Sequence, residues 1–451
     1  MTAIRISVIG AGSAQFSLGL VKDICLTPGL AGSQISFMDI DTERLEMIEK
    51  LARRYASELG SDLRFERTTD RAASLRDSQF VINTASVTSH HLQRTMRELT
   101  AKHGYYYGGV HLGGHRQLAF MLSVAKDMER ICPDAWLIQS GNPVYEGCTL
   151  MTRETSVKVC GLCHGHYGVY EIARTLGLDP HKIDWQAPGL NHNIWLTHFL
   201  YEGRDAYPLL DAWIAEHGEH YWQTHVAERT HDIQMSRGTI HMYRMFGHMP
   251  IGDTPRQRRN WWYHTDIATK KRWFGEPWGG PDTELARPLF VANLEKKVAE
   301  MTRLANDPKA SMIEAFGSEK TREQQVPIID GLVNNNEYRA QVNIPNKGAL
   351  AGVADDVVVE VPAIVNALGI QPLRVQPLPA KIMYEMILPE VLDMERELLA
   401  FQSGDRSMLL WSVLNSDQTR SYEQALAVLE EIMAVPEMAE TNAFYQWPKG
   451  W

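Results

Sequence analysis

Cys163 and His164 place a thiol directly beside an imidazole, inside the run Gly161-Leu162-Cys163-His164-Gly165-His166-Tyr167-Gly168. A further imidazole, His192, follows 29 residues after Cys163, within Gly189-Leu190-Asn191-His192-Asn193. A thiolate and a neutral imidazole are good ligands for a borderline divalent ion. Two protein ligands leave several coordination positions open, which suits a substrate that chelates through adjacent hydroxyls. Taken alone, His192 has the bland alternative of a hydrogen-bonded core histidine. Cys160 completes a Cys-x-x-Cys pair with Cys163, the spacing of half a zinc site or a redox dithiol. No second pair exists, and Cys160 lies in an apolar run that reads as buried filler.

The elements around these residues read as an open α/β sheet. Ser156 to Val159 is β-branched and strand-like, and Val169 to Leu176 is helical, so Cys163 sits on a strand-to-helix turn, where such sheets place ligands. At the front, Ile4 to Ile9 runs apolar like a buried parallel strand. Gly10-Ala11-Gly12-Ser13 and an apolar-periodic helix from Phe16 to Leu26 follow. Strand, glycine turn and helix form the phosphate-binding opening of a dinucleotide fold, with Gly10, Gly12 and Ser13 against the pyrophosphate. Gln15 stands where the usual fingerprint has its third glycine. The next strand, Gln34 to Asp39, ends in an acid that would bond the ribose hydroxyls and repel a 2′-phosphate, favouring NAD over NADP. Asp41 reads as the cap of an amphipathic helix over Glu43 to Leu59.

Further strands are expected at Arg64 to Thr68, Gln79 to Asn83 and Trp136 to Gln139. Asn83 and Thr84 suit a place along the cofactor. Ser140-Gly141-Asn142-Pro143 exposes an amide at a sheet edge, unless Asn142 only caps the next helix. The glycine- and tyrosine-rich loop from Tyr105 to Arg116, with His111, His115 and Arg116, could approach a substrate or simply connect helices over Ser89 to Gly104 and Gln117 to Ile131. Strand–helix alternation thus predicts a Rossmann-like doubly wound parallel sheet over residues 1–190. An interlocked α+β substrate and oligomerisation domain, 191–451, is expected to follow, as in lactate and malate dehydrogenases. In it, Trp195 to Tyr201 alternates like one antiparallel strand. Gln341 to Ile344 and Asp356 to Val361 flank a turn at Pro345 to Gly348, and helices close the chain over Lys381 to Gln402 and Tyr422 to Met433.

Composition narrows the function. The chain has 451 residues, 44% hydrophobic, and a formal charge of −10, enough for a large core and a poor match to nucleic acid, which wants clustered positive charge. Arg256-Gln257-Arg258-Arg259 reads as a solvated turn or an anion contact. No 18-residue apolar window predicts a membrane span. With no charged leader and five scattered cysteines, a cytoplasmic chain without a disulfide framework is expected.

The motifs quoted above, together with Phe37-Met38-Asp39-Ile40-Asp41, Phe80-Val81-Ile82-Asn83-Thr84-Ala85, Met249-Pro250-Ile251-Gly252-Asp253-Thr254 and Val342-Asn343-Ile344-Pro345-Asn346-Lys347-Gly348, resemble glycoside hydrolase family 4. These are the NAD- and manganese-dependent glycosidases, and the α-glucosidase branch is the nearest. The resemblance covers essentially the whole chain; the cysteine and Pro-to-Thr motifs are its specific parts. It implies oxidation of the sugar at C3 by NAD, loss of the C2 proton to a base, elimination of the aglycone, water addition and return of the hydride, unlike the usual two-carboxylate scheme. It implies Cys163 and His192 as Mn2+ ligands and Asp253 as the base, although Gly252-Asp253-Thr254-Pro255 is also good turn sequence. His164 would protonate the leaving group or orient water. Asn142, His166 and Asn191 would lie near the sugar. Phosphoglycosidase relatives carry other residues at His164 and Gly165, which argues for an unphosphorylated α-glucoside or related α-hexoside. The short path after Tyr107, with His111 and Arg116, raises an alternative: an anionic sugar such as an α-glucuronide or α-galacturonide. A plain NAD-dependent hydroxy-acid or polyol dehydrogenase, or a non-catalytic NAD-binding regulator, would use the same front half. A homodimer or homotetramer is expected.

Overall fold

The computed structural model describes residues 3–13, 16–106, 112 and 114–450. Six parallel strands form its front: β1 (Arg5–Ile9), β2 (Gln34–Met38), β3 (Arg64–Thr68), β4 (Phe80–Asn83), β5 (Trp136–Gln139) and β6 (Lys158–Gly161). They lie in the order β3-β2-β1-β4-β5-β6. Phe80, Val81 and Ile82 are all buried, as expected of strands covered on both faces by helices. The doubly wound sheet expected from the sequence is present.

The helices follow their local signals. Asp41 caps Thr42–Glu58, its side chain accepting from Arg44 N. That helix buries Leu45, Ile48, Leu51, Ala52 and Tyr55 at three- and four-residue spacing. Ser89 caps His90–Lys102 in the same way. The helix expected from Gln117 begins earlier, at Gly114.

Among the described residues nine further strands follow: β7 (Ile183–Gln186), β8 (Gly189–Leu190), β9 (Asn193–Leu196), β10 (His198–Tyr201), β11 (Arg204–Asp205), β12 (Met249–Ile251), β13 (Tyr338–Pro345), β14 (Val358–Asn366) and β15 (Gly369–Pro372). The sheet does not end at β6. β13 adds antiparallel to β6, and β14, β8, β9 and β12 continue outward, with β15 also on β14, making one sheet of 12 strands. The segments on either side of residue 190 therefore share a backbone hydrogen-bond network. Trp195 to Tyr201 is not the single strand its alternation suggests. The chain breaks at Thr197, so that β9 stays in the large sheet while β10 pairs with β7 and β11 in a separate one. Thr197 N donates to Gln186 O at this corner. The hairpin β13–β14 turns through Pro345 to Gly348 as expected. Among the described residues no helix is long and apolar enough to cross a membrane.

Candidate active site

The carboxyl edge of the parallel strands carries the nucleotide turn. Gly10 follows β1 with φ +82°, and a Cβ there would sit 2.6 Å from Ala85 N; only glycine lets the two backbones approach so closely. Asp39, after β2, accepts from Gly12 N at 2.8 Å and from Asp41 N at 3.1 Å. The acid at the strand end and the glycine turn are thus one hydrogen-bonded unit. Ser13 N closes the turn onto Gly10 O. The Thr84 hydroxyl donates back to Gly10 O at 3.1 Å. Asn83 differs from its expected place along the cofactor. Its side chain is fully buried, donating to Gln139 and accepting from Ala85 N, so it braces the edge from beneath.

Cys163 lies just beyond β6 on the turn into the helix Tyr167–Thr175, with its sulfur accepting from Gly165 N at 3.4 Å. His192 occupies the tight β8–β9 hairpin at φ +64°, a conformation costing a non-glycine residue about 1–2 kcal/mol. Gln257 Nε2 donates to its carbonyl at 2.9 Å. The third segment enters through sheet register. β12 pairs with β9 so that Ile251 faces Ile194; carrying that register past the end of β12 sets Asp253 opposite His192. Asp253 Oδ2 lies 3.4 Å from His192 Nε2.

The turns bearing Cys163 and Asp253 also touch. A Cβ on Gly252, at φ +63°, would meet Gly165 Cα at 2.6 Å. Gln234 clamps the Asp253 turn, its amide donating to Pro250 O and accepting from Gly252 N. Thr254 Oγ1 accepts from Ile194 N.

Electrostatics follow from this convergence. Burial opposes a charge on His192, but the Cys163 sulfur and then the Asp253 carboxylate outweigh it and push its pKa up to about 10. The site thereby holds a proton where sulfur, imidazole and carboxylate meet, the environment a cation would also seek. Among the described residues no group of three or more His, Cys, Asp or Glu gathers as a metal cluster. The donor set that fits is the pair of sulfur and imidazole nitrogen, leaving room for substrate oxygens. Burial would raise the Asp253 pKa, but Arg256 and His192 hold it below the ordinary carboxylate value. Arg256 bonds Asp253 on one side and Asp282 on the other. The cluster read as either a solvated turn or an anion contact thus supplies a largely buried partner to the carboxylate.

The other expected residues differ in where they lie. His164 is exposed beside Cys163 and pairs with Glu323 Oε2 at 2.8 Å, which raises its pKa despite the opposing effect of burial. Asn142 is exposed at the end of β5, and the helix after it makes no side-chain cap bond; the cap alternative fails. Asn191 is buried and donates to Glu360. His166 is buried, with burial lowering its pKa to about 4, and packs on Tyr167 and Trp185. It supports the turn as a neutral ring and is not an open sugar contact. Arg116 turns to the C-terminal helices, donating to Glu437 O at 3.4 Å, and His115 packs among Phe401, Phe444 and Tyr445. His111 lies outside the described residues.

Residues 5–178 match the model for family 4 glycosyl hydrolase, and residues 187–419 match the family 4 glycosyl hydrolase C-terminal domain. The chain belongs to family 4 of the glycosyl hydrolases. It is a glycosidase. Among the relatives of this family 4 chain, the α-galactosidase of Bacillus subtilis (strain 168) is 26% identical over 84% of this chain and 85% of its own. The α-glucosidase of Erwinia rhapontici is 26% identical over 83% and 85%. The fold is shared with a crystal structure of 6-phospho-α-glucosidase from gut microorganisms in complex with NAD and Mn2+, at a TM-score of 0.77 and 18% identity over 99% of this chain and all of that one.

Proposed function

We propose that this family 4 glycosidase hydrolyses unphosphorylated α-glucosides or related α-hexosides, with NAD in the β1–β2 crevice and a divalent ion, Mn2+, held by Cys163 and His192. The observation that carries the reading is the meeting of Cys163, His192 and Asp253 at one point beside the carboxyl edge of the sheet. When bound, the dinucleotide supplies reversible oxidation at the sugar C3 and the metal polarises the C2 and C3 oxygens.

Asp253 removes the C2 proton. A free carboxylate is a weak base, and Arg256 keeps this one ionised; the acidified C2–H makes up the difference. His164, whose proton the Glu323 carboxylate stabilises, donates it to the departing aglycone oxygen as the C1–O bond breaks. Water then adds to C1 while C2 regains a proton, and with the C3 oxidation then reversed no net oxidation occurs. Gly10, Gly12, Ser13 and Asp39 seat the cofactor, and Thr84 supports the turn through Gly10 O. Asn142 faces the sugar hydroxyls.

A second reading, an anionic α-uronide, no longer draws on Arg116, which is engaged with Glu437 O. It draws instead on Arg322, exposed above the Tyr167 ring at 4.7 Å, next to Glu323. A panel of matched aryl α-glucosides, α-galactosides and α-uronides, assayed with NAD and Mn2+, tests both. Aglycone release without bulk NADH supports the glycosidase mechanism; stoichiometric NADH would favour a dehydrogenase. A uronide preference that Arg322→Ala abolishes would favour the second reading.

A further inference from the structure

Glu360 is a buried carboxylate at the centre of a cross-strand row. Gly161 of β6 faces Asn343 of β13, Asn343 faces Glu360 of β14, and Glu360 faces Gly189 of β8. The ends of this row lead directly into the two ligand-bearing turns. Cys163 follows Gly161 by two positions, and His192 follows Gly189 by three.

Glu360 Oε2 accepts from Asn191 Nδ2 at 3.2 Å and from Asn343 Nδ2 at 3.3 Å. Oε1 lies 3.5 Å from Gln341 Nε2. Glu360 is 1% exposed, and Asn191, Asn343 and Gln341 are also buried. The Oδ1 of Asn343 and the Oε1 of Gln341 have no hydrogen-bond partner among the described residues, so there each of these amides is held through its nitrogen. Asn191 is the residue immediately before His192. The row is tightly fitted at both ends: a Cβ on Gly161 would meet Val144 at 2.5 Å, and one on Gly189 would meet Asn193 O at 2.0 Å. A carboxylate placed here ties the β8–β9 hairpin to β13, and through β13 to β6.

We propose that Glu360 is a positioning residue that sets the separation of Cys163 and His192 and thereby the affinity of the pair for a divalent ion. Its hydrogen bonds run to Asn191, Asn343 and Gln341 and not to either ligand, and it acts through Asn191 and Asn343. Groups behind the ligands that orient them commonly change metal affinity by about 10- to 100-fold. The inference rests on the metal reading above, and the two fail differently.

The test is Mn2+ binding to the NAD-free full chain, read from the EPR signal of free Mn2+, with NAD affinity measured separately by fluorescence. Glu360→Ala should weaken Mn2+ binding about tenfold or more, with NAD affinity changed less than about twofold. Glu360→Gln, which keeps an acceptor for Asn191 and Asn343, should recover to within about threefold of the parent. A folded Glu360→Ala protein binding Mn2+ like the parent overturns the inference. So does equal loss of Mn2+ and NAD affinity, the signature of general damage to the sheet. If Glu360→Ala does not fold, Glu360→Asp decides, since it keeps the charge but withdraws the acceptor; parental affinity overturns the inference and weakened affinity supports it. A parent chain that binds no Mn2+ overturns the metal reading as well, whereas parental binding lost in Cys163→Ala but unchanged in the Glu360 variants overturns this inference alone.

Discussion

His192 Nε2 and Asp253 Oδ2 stand 3.4 Å apart, and the antiparallel register of β9 and β12 puts them there. Two residues separated by 61 positions in the chain are thus placed by main-chain pairing. Their surroundings then set their charges: Arg256 stabilises the carboxylate, and Cys163 with Asp253 stabilises a proton on the imidazole.

Asp253→Asn should lower kcat by about 100- to 10,000-fold if this carboxylate is the base. Arg256→Met should act through pH. Arg256 depresses the Asp253 pKa below its ordinary 3.8, so its removal moves the acid limb of kcat/KM to higher pH. In the parent, this pair contributes stability above about pH 4 that fades as pH falls through the lower folded value. The variant should lose that contribution, and breaking the Arg256–Asp282 pair, with Lys270 still acting on Asp282, should cost about 3 kcal/mol or less. A pH–rate profile and urea unfolding at pH 7 check both parts.

Metal binding should release a proton. With the His192 pKa raised from 6.5 to about 10, the metal-free site holds this proton at neutral pH and a divalent ion must displace it. Mn2+ affinity should therefore rise with pH up to about 10, and calorimetry in buffers of different ionisation enthalpy should find about one proton released per ion near pH 7.5. In metal-free protein the stability from this group is full below pH 6.5 and is lost as pH rises through about 10. His192→Ala, which removes a ligand as well as this proton, should weaken Mn2+ binding across the pH range.

Gly252→Ala should separate the two turns. The added Cβ would fall 2.6 Å from Gly165 Cα at a φ of +63°, so the backbone must shift. A stability loss of about 1–3 kcal/mol is expected, with kcat reduced and NAD affinity kept. Thermal unfolding and NAD titration check this.

Asp39→Ala should relax cofactor choice. Its carboxylate accepts from Gly12 N and Asp41 N, and an acid at this strand end in dinucleotide folds disfavours a 2′-phosphate. The preference for NAD over NADP should fall by about 10-fold or more, read from titrations of both cofactors into the parent and the variant.

The nucleotide half was legible in the sequence because its signals are local. Asp41 and Ser89 cap the helices that their spacing announces, and Gly10 and Asp39 lie within one strand–turn unit each. The resemblance supplied Cys163, His192 and Asp253 as a set, but not what holds them. Glu323 on His164, Asp282 on Arg256 and Glu360 on Asn191 are brought in by sheet pairing and segment packing over long chain separations, which no local pattern encodes. A signal did exist for Arg256, three residues after Asp253. Asn83, His166 and Arg116 show a limit of sequence: a polar side chain near a loop looks the same whether it opens to a cleft or is engaged by neighbouring side chains, rings or backbone, as theirs are. The break at Thr197 was likewise hidden, since alternation continues across it while the strand changes sheets.

Hydrolysis of an aryl α-glycoside in D2O, followed by analysis of C2 in the released sugar, bears most directly on the role of Asp253 beside Cys163 and His192. Deuterium at C2 in the product, dependent on NAD and Mn2+ and lost with Asp253→Asn, is expected if the aglycone leaves by elimination. Sugar released at full rate with only protium at C2 would contradict that chemistry.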